Sequence, residues 1–411
     1  MTAIDEVVVI NDFASARGGA TMVALQAVHQ YRRLGYRVTY ICGDSPTAEL
    51  NALGVAQVGL NSSALLELPA GQAFAQGLHN RQTEDVIGQW IRENDTPRTV
   101  YHLHNWSQIL SPSVFRALRK VEDRLIVTCH DFFNICPNGG FSHFRSSTPC
   151  SYRSLSAQCL LSQCDRRNPA RKYWRALRHM HLNGLARFGK SRSTFTFLHT
   201  RMQEKFVNSG FAANDLVSIP NPAEAWTDDR IEAERNEGFL FVGRLGRDKG
   251  ADLAIDAARA TGQKMTLVGI GDLVPNGSAE ETGVEVTGWK GRSEIAEIAR
   301  RARAVVVPSR VTEPFGLVIL EAAMSGLPVI VSSHAYLAGD VVQMGFGDTF
   351  DIAHPGHLAE VIGAFAADDE RIERMSRAGF ANAHSLCNTP ESWISNFIRI
   401  FEAKLAQSVA A

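Results

Sequence analysis

The chain has no apolar run long enough to cross a bilayer and no large excess of charge, and each absence removes a class of function. Its most apolar stretch, Leu317 to Val331, is broken by Glu321, Ser325, Gly326 and Pro328, so it cannot be read as a span of about 20 apolar residues. A formal net charge of -1 argues against general nucleic-acid binding, and any electrostatic partner must be met by a local patch. The start, Met1 to Ile10, sets Asp5 and Glu6 beside a short apolar run and lacks the basic and apolar regions of a signal peptide. The expectation is a cytoplasmic chain, at most peripheral on the inner face of a membrane. Cysteine is scarce, and its count of seven is odd, which points to thiols or metal ligation before a disulfide framework. Internal repeats of solenoid length and low-complexity tracts are also missing.

What is present suits two domains, because 411 residues exceed what one hydrophobic core usually organises. Short β-branched runs alternate with helix-length amphipathic segments, the sign of βα units feeding parallel sheets. The first half offers strands at Glu6 to Asn11, Arg37 to Cys42, Val100 to His104, Leu125 to Cys129 and Thr194 to Leu198. The second offers Gly238 to Val242, Lys264 to Val268, Val284 to Thr287, Ala304 to Val307 and Pro328 to Val331. Between them Ile219-Pro220-Asn221-Pro222 restricts the backbone and marks a hinge. The expected domains are residues 1–219, 220–390 and a terminal helix, 391–411, with Trp393, Ile394, Phe397, Ile398 and Phe401 on one face. That helix either packs back across the hinge or is a terminal core helix. In such α/β sheets ligands bind outside the carboxyl ends of the strands, so function is sought in those loops.

Two motifs in the second half carry chemistry. Gly243-Arg244-Leu245-Gly246-Arg247-Asp248-Lys249-Gly250 follows a strand and opens a helix. Its glycines permit close backbone approach, and Arg244 with Lys249 can neutralise a diphosphate, although a solvated βα turn reads much the same. The second is Pro308 to Ala322. Here Glu313 falls in a strand-end turn and Glu321 on the following helix, roughly two turns in if the helix begins near Phe315, about 9 Å along the axis. The two carboxylates can then hold two parts of one extended ligand.

The segment Glu313-Pro314-Phe315-Gly316-Leu317 with Leu320-Glu321-Ala322, together with Val242-Gly243-Arg244-Leu245 and Lys249-Gly250 upstream, resembles the donor site of family-four glycosyltransferases, the glycosyl transferases group 1. The resemblance extends loosely over nearly the whole chain. It implies the GT-B architecture, two Rossmann-like doubly wound domains facing a central cleft, and a retaining transfer of a hexose-type sugar from a nucleotide sugar, UDP- or GDP-linked. Arg244 and Lys249 would contact the diphosphate, Glu313 the transferred sugar, and Glu321 the ribose hydroxyls. The backbone near Pro314, Phe315, Gly316 and Leu317 would complete the phosphate site, with no metal required for catalysis. The acceptor implied is a glycan or lipid-linked molecule of cell-surface polysaccharide or glycolipid synthesis.

In the first half, Arg17-Gly18-Gly19-Ala20 resembles the family's first glycine loop, and is otherwise an ordinary tight turn. His130, in Thr128-Cys129-His130-Asp131-Phe132, ends a strand where the family carries a His-Asp beside donor sugar and acceptor, and with Glu313 is the catalytic expectation. His102 and His104 alternate onto one face of another strand end; His104 reads as acceptor-side lining and His102 as structural. Cys136, Cys150, Cys159 and Cys164 concentrate in one loop-rich stretch. They are either isolated thiols or the four ligands of a structural zinc, without paired C-x-x-C knuckles.

From Arg166 to Arg192 the chain carries Arg166, Arg167, Arg171, Lys172, Arg175, Arg178, Arg187, Lys190 and Arg192 and no acid, with Tyr173 and Trp174 among them. This is either a solvated basic face or one that meets an anionic membrane surface. Two other enzymatic readings compete. A nucleotide-sugar epimerase or hydrolase of the same architecture needs the same diphosphate clamp. A dinucleotide-dependent Rossmann enzyme is suggested by Gly269-Ile270-Gly271, but Val274 stands where the third glycine belongs and Pro275 follows.

Overall fold

A computed structural model describes residues 4–16, 18–146, 148–273 and 283–410. Met1, Arg17, Val274 and Pro275 lie outside the described residues. The chain divides into two compact units, one of Met1–Gly140, Tyr152–Ile219 and Pro390–Ala411, the other of Phe141–Ser151 and Pro220–Thr389.

The first unit is built on a seven-stranded sheet, all parallel, of β1 (Glu6–Asn11), β2 (Arg37–Cys42), β3 (Ala56–Gly59), β4 (Thr99–Leu103), β5 (Leu125–Cys129), β6 (Thr194–Phe197) and β7 (Leu216–Ser218). Its order is β3-β2-β1-β4-β5-β6-β7. Strands β1, β4 and β5 are buried at every position because helices cover both faces, which explains why they read as unbroken apolar runs. The helix Pro390–Ala410 belongs to this unit, and its Trp393, Ile394, Phe397 and Phe401 join one core with Val7, Val9, Val28 and Tyr31.

The second unit carries six parallel strands, β8 (Gly238–Val242), β9 (Met265–Val268), β10 (Val284–Gly288), β11 (Ala302–Val307), β12 (Val329–Ser332) and β13 (Gly347–Phe350). They are ordered β10-β9-β8-β11-β12-β13. Both orders therefore reverse direction beside the first strand of their unit, at β1/β4 and at β8/β11. Since all strands are parallel, the loops leaving those neighbours emerge side by side at one edge of the sheet. Among the described residues no helix is long and apolar enough to cross a membrane.

Candidate functional site

The adjacency of β8 and β11 brings together two loops separated by some 60 residues of sequence. The loop after β8 reaches the helix Ala251–Thr261 through Gly250, whose φ of 74° lies in the left-handed region. A Cβ there would stand 2.0 Å from the Pro308 carbonyl oxygen of the loop after β11. Only glycine permits that approach. The two loops are further joined by the Arg310 amide donating to the Asp248 carbonyl at 2.9 Å and by Arg310 pairing with Asp252.

Within this frame the Lys249 ammonium donates to Glu313 Oε2 at 2.6 Å, and the Ser309 hydroxyl donates to the same oxygen at 3.1 Å. Arg244 engages both oxygens of Asp248, at 2.5 and 2.6 Å. Each cation expected to meet a diphosphate is thus held by a carboxylate of its own site. The turn Pro314-Phe315-Gly316 leads into the helix Leu317–Met324, with Gly316 at φ 72° as its cap. The Phe315 ring is buried, so what that residue offers a ligand is backbone. The helix begins at Leu317 and not near Phe315, which moves Glu321 to about 6 Å from its start. Glu321 is held by Arg292 at 3.5 Å and by the Trp226 side chain. Burial raises its pKa, and Arg292 and Trp226 only partly oppose the rise. Arg292, which also donates to the carbonyls of Glu224 and Ala225, was not legible in advance, because no motif marks an arginine whose partner lies 29 residues on.

In the first unit Gly18, at φ 119°, caps the helix Gly19–Arg33, and a Cβ on Gly18 or Gly19 would meet nothing within 4 Å. The loops after β1 and β4 are knit by Asp12, whose carboxylate accepts from the amides of Gln108, Ile109 and Leu110 at 2.8 to 2.9 Å. Its role also went unread in the sequence; Asn11-Asp12 at a strand end was the available signal. His104 and His130, on the neighbouring strand ends, meet with Nδ1 and Nε2 2.9 Å apart. His102 is satisfied at both nitrogens, by Tyr31 at 3.0 Å and Thr128 at 2.8 Å, as a structural histidine should be. Burial pushes His130 down to about 4 and Asp131 up to about 6.

The structure bears on two further expectations. Among the described residues no group of three or more metal-ligating side chains is in position to hold an ion, which lends the zinc alternative for the four cysteines no support. Instead the buried Lys172 ammonium lies 3.0 Å from Cys164 Sγ and 3.7 Å from Cys159 Sγ, where its charge opposes a dication, and Cys150 falls in the second unit. Nor is the basic stretch uniformly a surface. Lys172 and Arg178 are buried, Arg178 donating to the carbonyls of Gly77 and Ser107, and Arg175 pairs with Asp165 at 3.1 Å.

Residues 223–381 match the sequence profile of the glycosyl transferases group 1. That segment, which holds Arg244, Lys249, Glu313 and Glu321, belongs to the family. A D-inositol 3-phosphate glycosyltransferase from Segniliparus rotundus is 34% identical over 158 residues, 35% of this chain and 35% of the relative. A glycogen synthase from Mycobacterium tuberculosis is 32% identical over 151 residues, 34% of this chain and 36% of the relative. The chain thus aligns with only about a third of the length of these curated relatives. Solved structures agree over almost the whole chain. Sucrose-phosphate synthase from Thermosynechococcus elongatus superposes with a TM-score of 0.70 at 17% identity, covering 98% of this chain and 100% of that one. HepE from Anabaena, solved with UDP and glucose, gives 0.63 at 16%, covering 98% and 99%. The fold is GT-B.

Proposed function

We propose that this protein is a retaining glycosyltransferase that moves a hexose-type sugar from a UDP- or GDP-linked donor to a glycan or lipid-linked acceptor in cell-surface polysaccharide or glycolipid synthesis. The observation that carries the reading is the meeting of Lys249, Glu313 and Ser309 at one sheet edge, inside the segment that belongs to the family. A donor diphosphate brings charge that competes with Asp248 for Arg244 and with Glu313 for Lys249. Once Lys249 turns to the phosphates, the Glu313 carboxylate is released to accept from sugar hydroxyls. Glu321 grips the ribose, and His130 lines the sugar from the first unit. The leaving diphosphate is stabilised by side chains and backbone N–H groups, and retention follows from departure and attack on one face within an ion pair. The reading takes the protein as cytoplasmic, working at the inner face of a membrane.

A thermal-shift panel of UDP-, GDP- and ADP-sugars tests it, since a ligand at about 100 times its Kd stabilises the native state by about 2.7 kcal/mol. One base is expected to stand out, and Glu321→Ala to abolish its shift; equal shifts in variant and parent reject the ribose role. Donor turnover supplied with and without acceptor separates transfer from the epimerase or hydrolase reading, which needs no acceptor.

A further inference from the structure

His104 and His130 share a single hydrogen bond, and the surroundings of His104 decide which ring gives the proton. His104 is 2% exposed. Its amide continues the sheet by donating to the Ile10 carbonyl at 2.9 Å, and its ring lies nearly parallel to that of His130, at 16° with centroids 5.2 Å apart. Its Nδ1 faces His130 Nε2 at 2.9 Å, while its own Nε2 is buried without a hydrogen-bond partner among the described residues. His130 Nδ1 likewise makes no hydrogen bond to the described residues.

Burial holds both rings neutral near pH 7, His104 well below the usual imidazole range and His130 at about 4. Each ring therefore carries one N–H, and one proton lies between the facing nitrogens. If His130 Nε2 supplied it, the remaining N–H of His104 would sit on the buried Nε2 with no acceptor. Orphaned buried N–H groups are among the rarest defects in native proteins, whereas an unfilled acceptor is tolerated more often. If His104 Nδ1 supplies it, only a lone pair is left unfilled.

We propose that His104 is a positioning residue: it donates Nδ1–H to Nε2 of His130, which fixes the His130 proton on Nδ1 and offers the substrate a hydrogen-bond donor there, not a base. The catalytic meaning of this rests on the proposed role of His130; the hydrogen bond itself does not. With its only lone pair occupied by His104, His130 recognises an acceptor oxygen, a sugar hydroxyl or a phosphate oxygen.

The test is two-bond nitrogen–proton correlation on protein labelled with 15N-histidine, with the His130 signals identified by their loss in His130→Gln. The expected spectrum has Nδ1 in the protonated region and Nε2 in the unprotonated one. His104→Phe, which keeps volume but donates nothing, is expected to mix the tautomers and to lower kcat on the order of 10-fold to 100-fold, as loss of a partner that fixes an imidazole does at metal sites. His104→Asn sets an amide N–H close to the position of Nδ1 and is expected to restore both the tautomer and most of the turnover. A proton on Nε2 of His130 in the parent protein overturns the proposal and needs only His130→Gln, used for the assignment, to fold. The expected tautomer with undiminished turnover in both His104→Phe and His130→Gln overturns the positioning role and the reading of His130, while leaving the donor-site reading to its own assay.

Discussion

Lys249 and Glu313 are each partly open to solvent, with side chains 34% and 17% exposed, so their ion pair adds little to folding. Exposed and half-exposed pairs are typically worth under about 1 kcal/mol. Their worth in the proposed reaction is larger, because a positioned cation at a departing diphosphate is usually worth ~100-fold to 1000-fold in kcat. Lys249→Ala is therefore expected to lower kcat by that order while moving the melting temperature by only a degree or two; a large stability loss with intact turnover would mark the pair as structural. The first unit titrates in the opposite sense at two kinds of group. Asp131 is raised to about 6 by burial, with Asp12 adding to the rise and a backbone N–H and Arg178 opposing it. Its unfolded value is near 3.9, so the folded state binds this proton more tightly and loses stability as pH rises from about 4 to 6. His102, His130 and His179 are lowered to about 3, 4 and 4 by burial, and the unfolded state takes up their protons first as pH falls below about 6.5. With His104 and His181 also lowered, and Asp12 and Asp215 also raised, five histidines against three aspartates make acid net destabilising. Asp131→Asn is expected to raise stability at pH 7 by on the order of 1 to 3 kcal/mol and to steepen the loss between pH 6.5 and 4, read by hydrogen exchange at β4 and β5 amides.

The elements show why one loop depends on another. Gly250→Ala combines a left-handed φ with a Cβ 2.0 Å from the Pro308 carbonyl oxygen, so the loops after β8 and β11 must part. A loss of roughly 1 to 3 kcal/mol is expected. Donor affinity is expected to fall with it, since Lys249 and Glu313 ride on those two loops; isothermal titration with whichever donor the thermal-shift panel selects checks the coupling, and unchanged affinity would mean the loops bind independently. The same contrast of local and distant causes decides what could be read from the sequence. Core strands such as Val7 to Ile10 and Val305 to Val307 announce themselves, because burial on both faces demands apolar residues throughout. Ala56–Gly59 and Gly347–Phe350 are edge strands containing glycine and polar residues, and Leu216–Ser218 has three residues; each exists because a neighbouring strand supplies the ladder. Arg244, Lys249, Glu313 and Glu321 were legible as a motif because they lie at fixed offsets from strand ends. The inward turn of Lys172 and Arg178 was not, since it depends on Cys164 in another segment and on Gly77 and Ser107 some 70 to 100 residues away. Cysteine spacing left isolated thiols and a zinc site both open for a related reason: proximity in sequence does not orient four sulfur atoms.

At the scale of the molecule, one helix of a nearly neutral chain carries exposed apolar side chains and cations together. On the helix Pro169–Ala186, Tyr173, Leu177 and Met180 recur at helical spacing and are 52%, 45% and 50% exposed. Phe74, also exposed, extends the strip from the helix Ala70–Leu78, its ring 6.4 Å from that of Trp174. Arg166, Arg167 and Arg171 are exposed at the start of the longer helix. Exposed apolar side chains with arginines on the same segment are the composition of a surface that rests on anionic headgroups, as the proposed lipid-linked acceptor would need. With about 1 kcal/mol per basic residue near such a surface, replacing the three arginines by glutamine is expected to weaken vesicle binding by on the order of 100-fold, and salt to erase much of the difference. Flotation with phosphatidylserine-containing and purely zwitterionic vesicles is the measurement. Leu177→Asp with Met180→Asp is expected to abolish binding to both without touching the core, because neither side chain is buried. Substituting Lys172 or Arg175 instead would disturb the thiol cluster and the Asp165 pair, so a loss there would report folding. Flotation unchanged by the paired aspartates would show that this face does not meet the bilayer, and the acceptor would then have to come to the protein from solution.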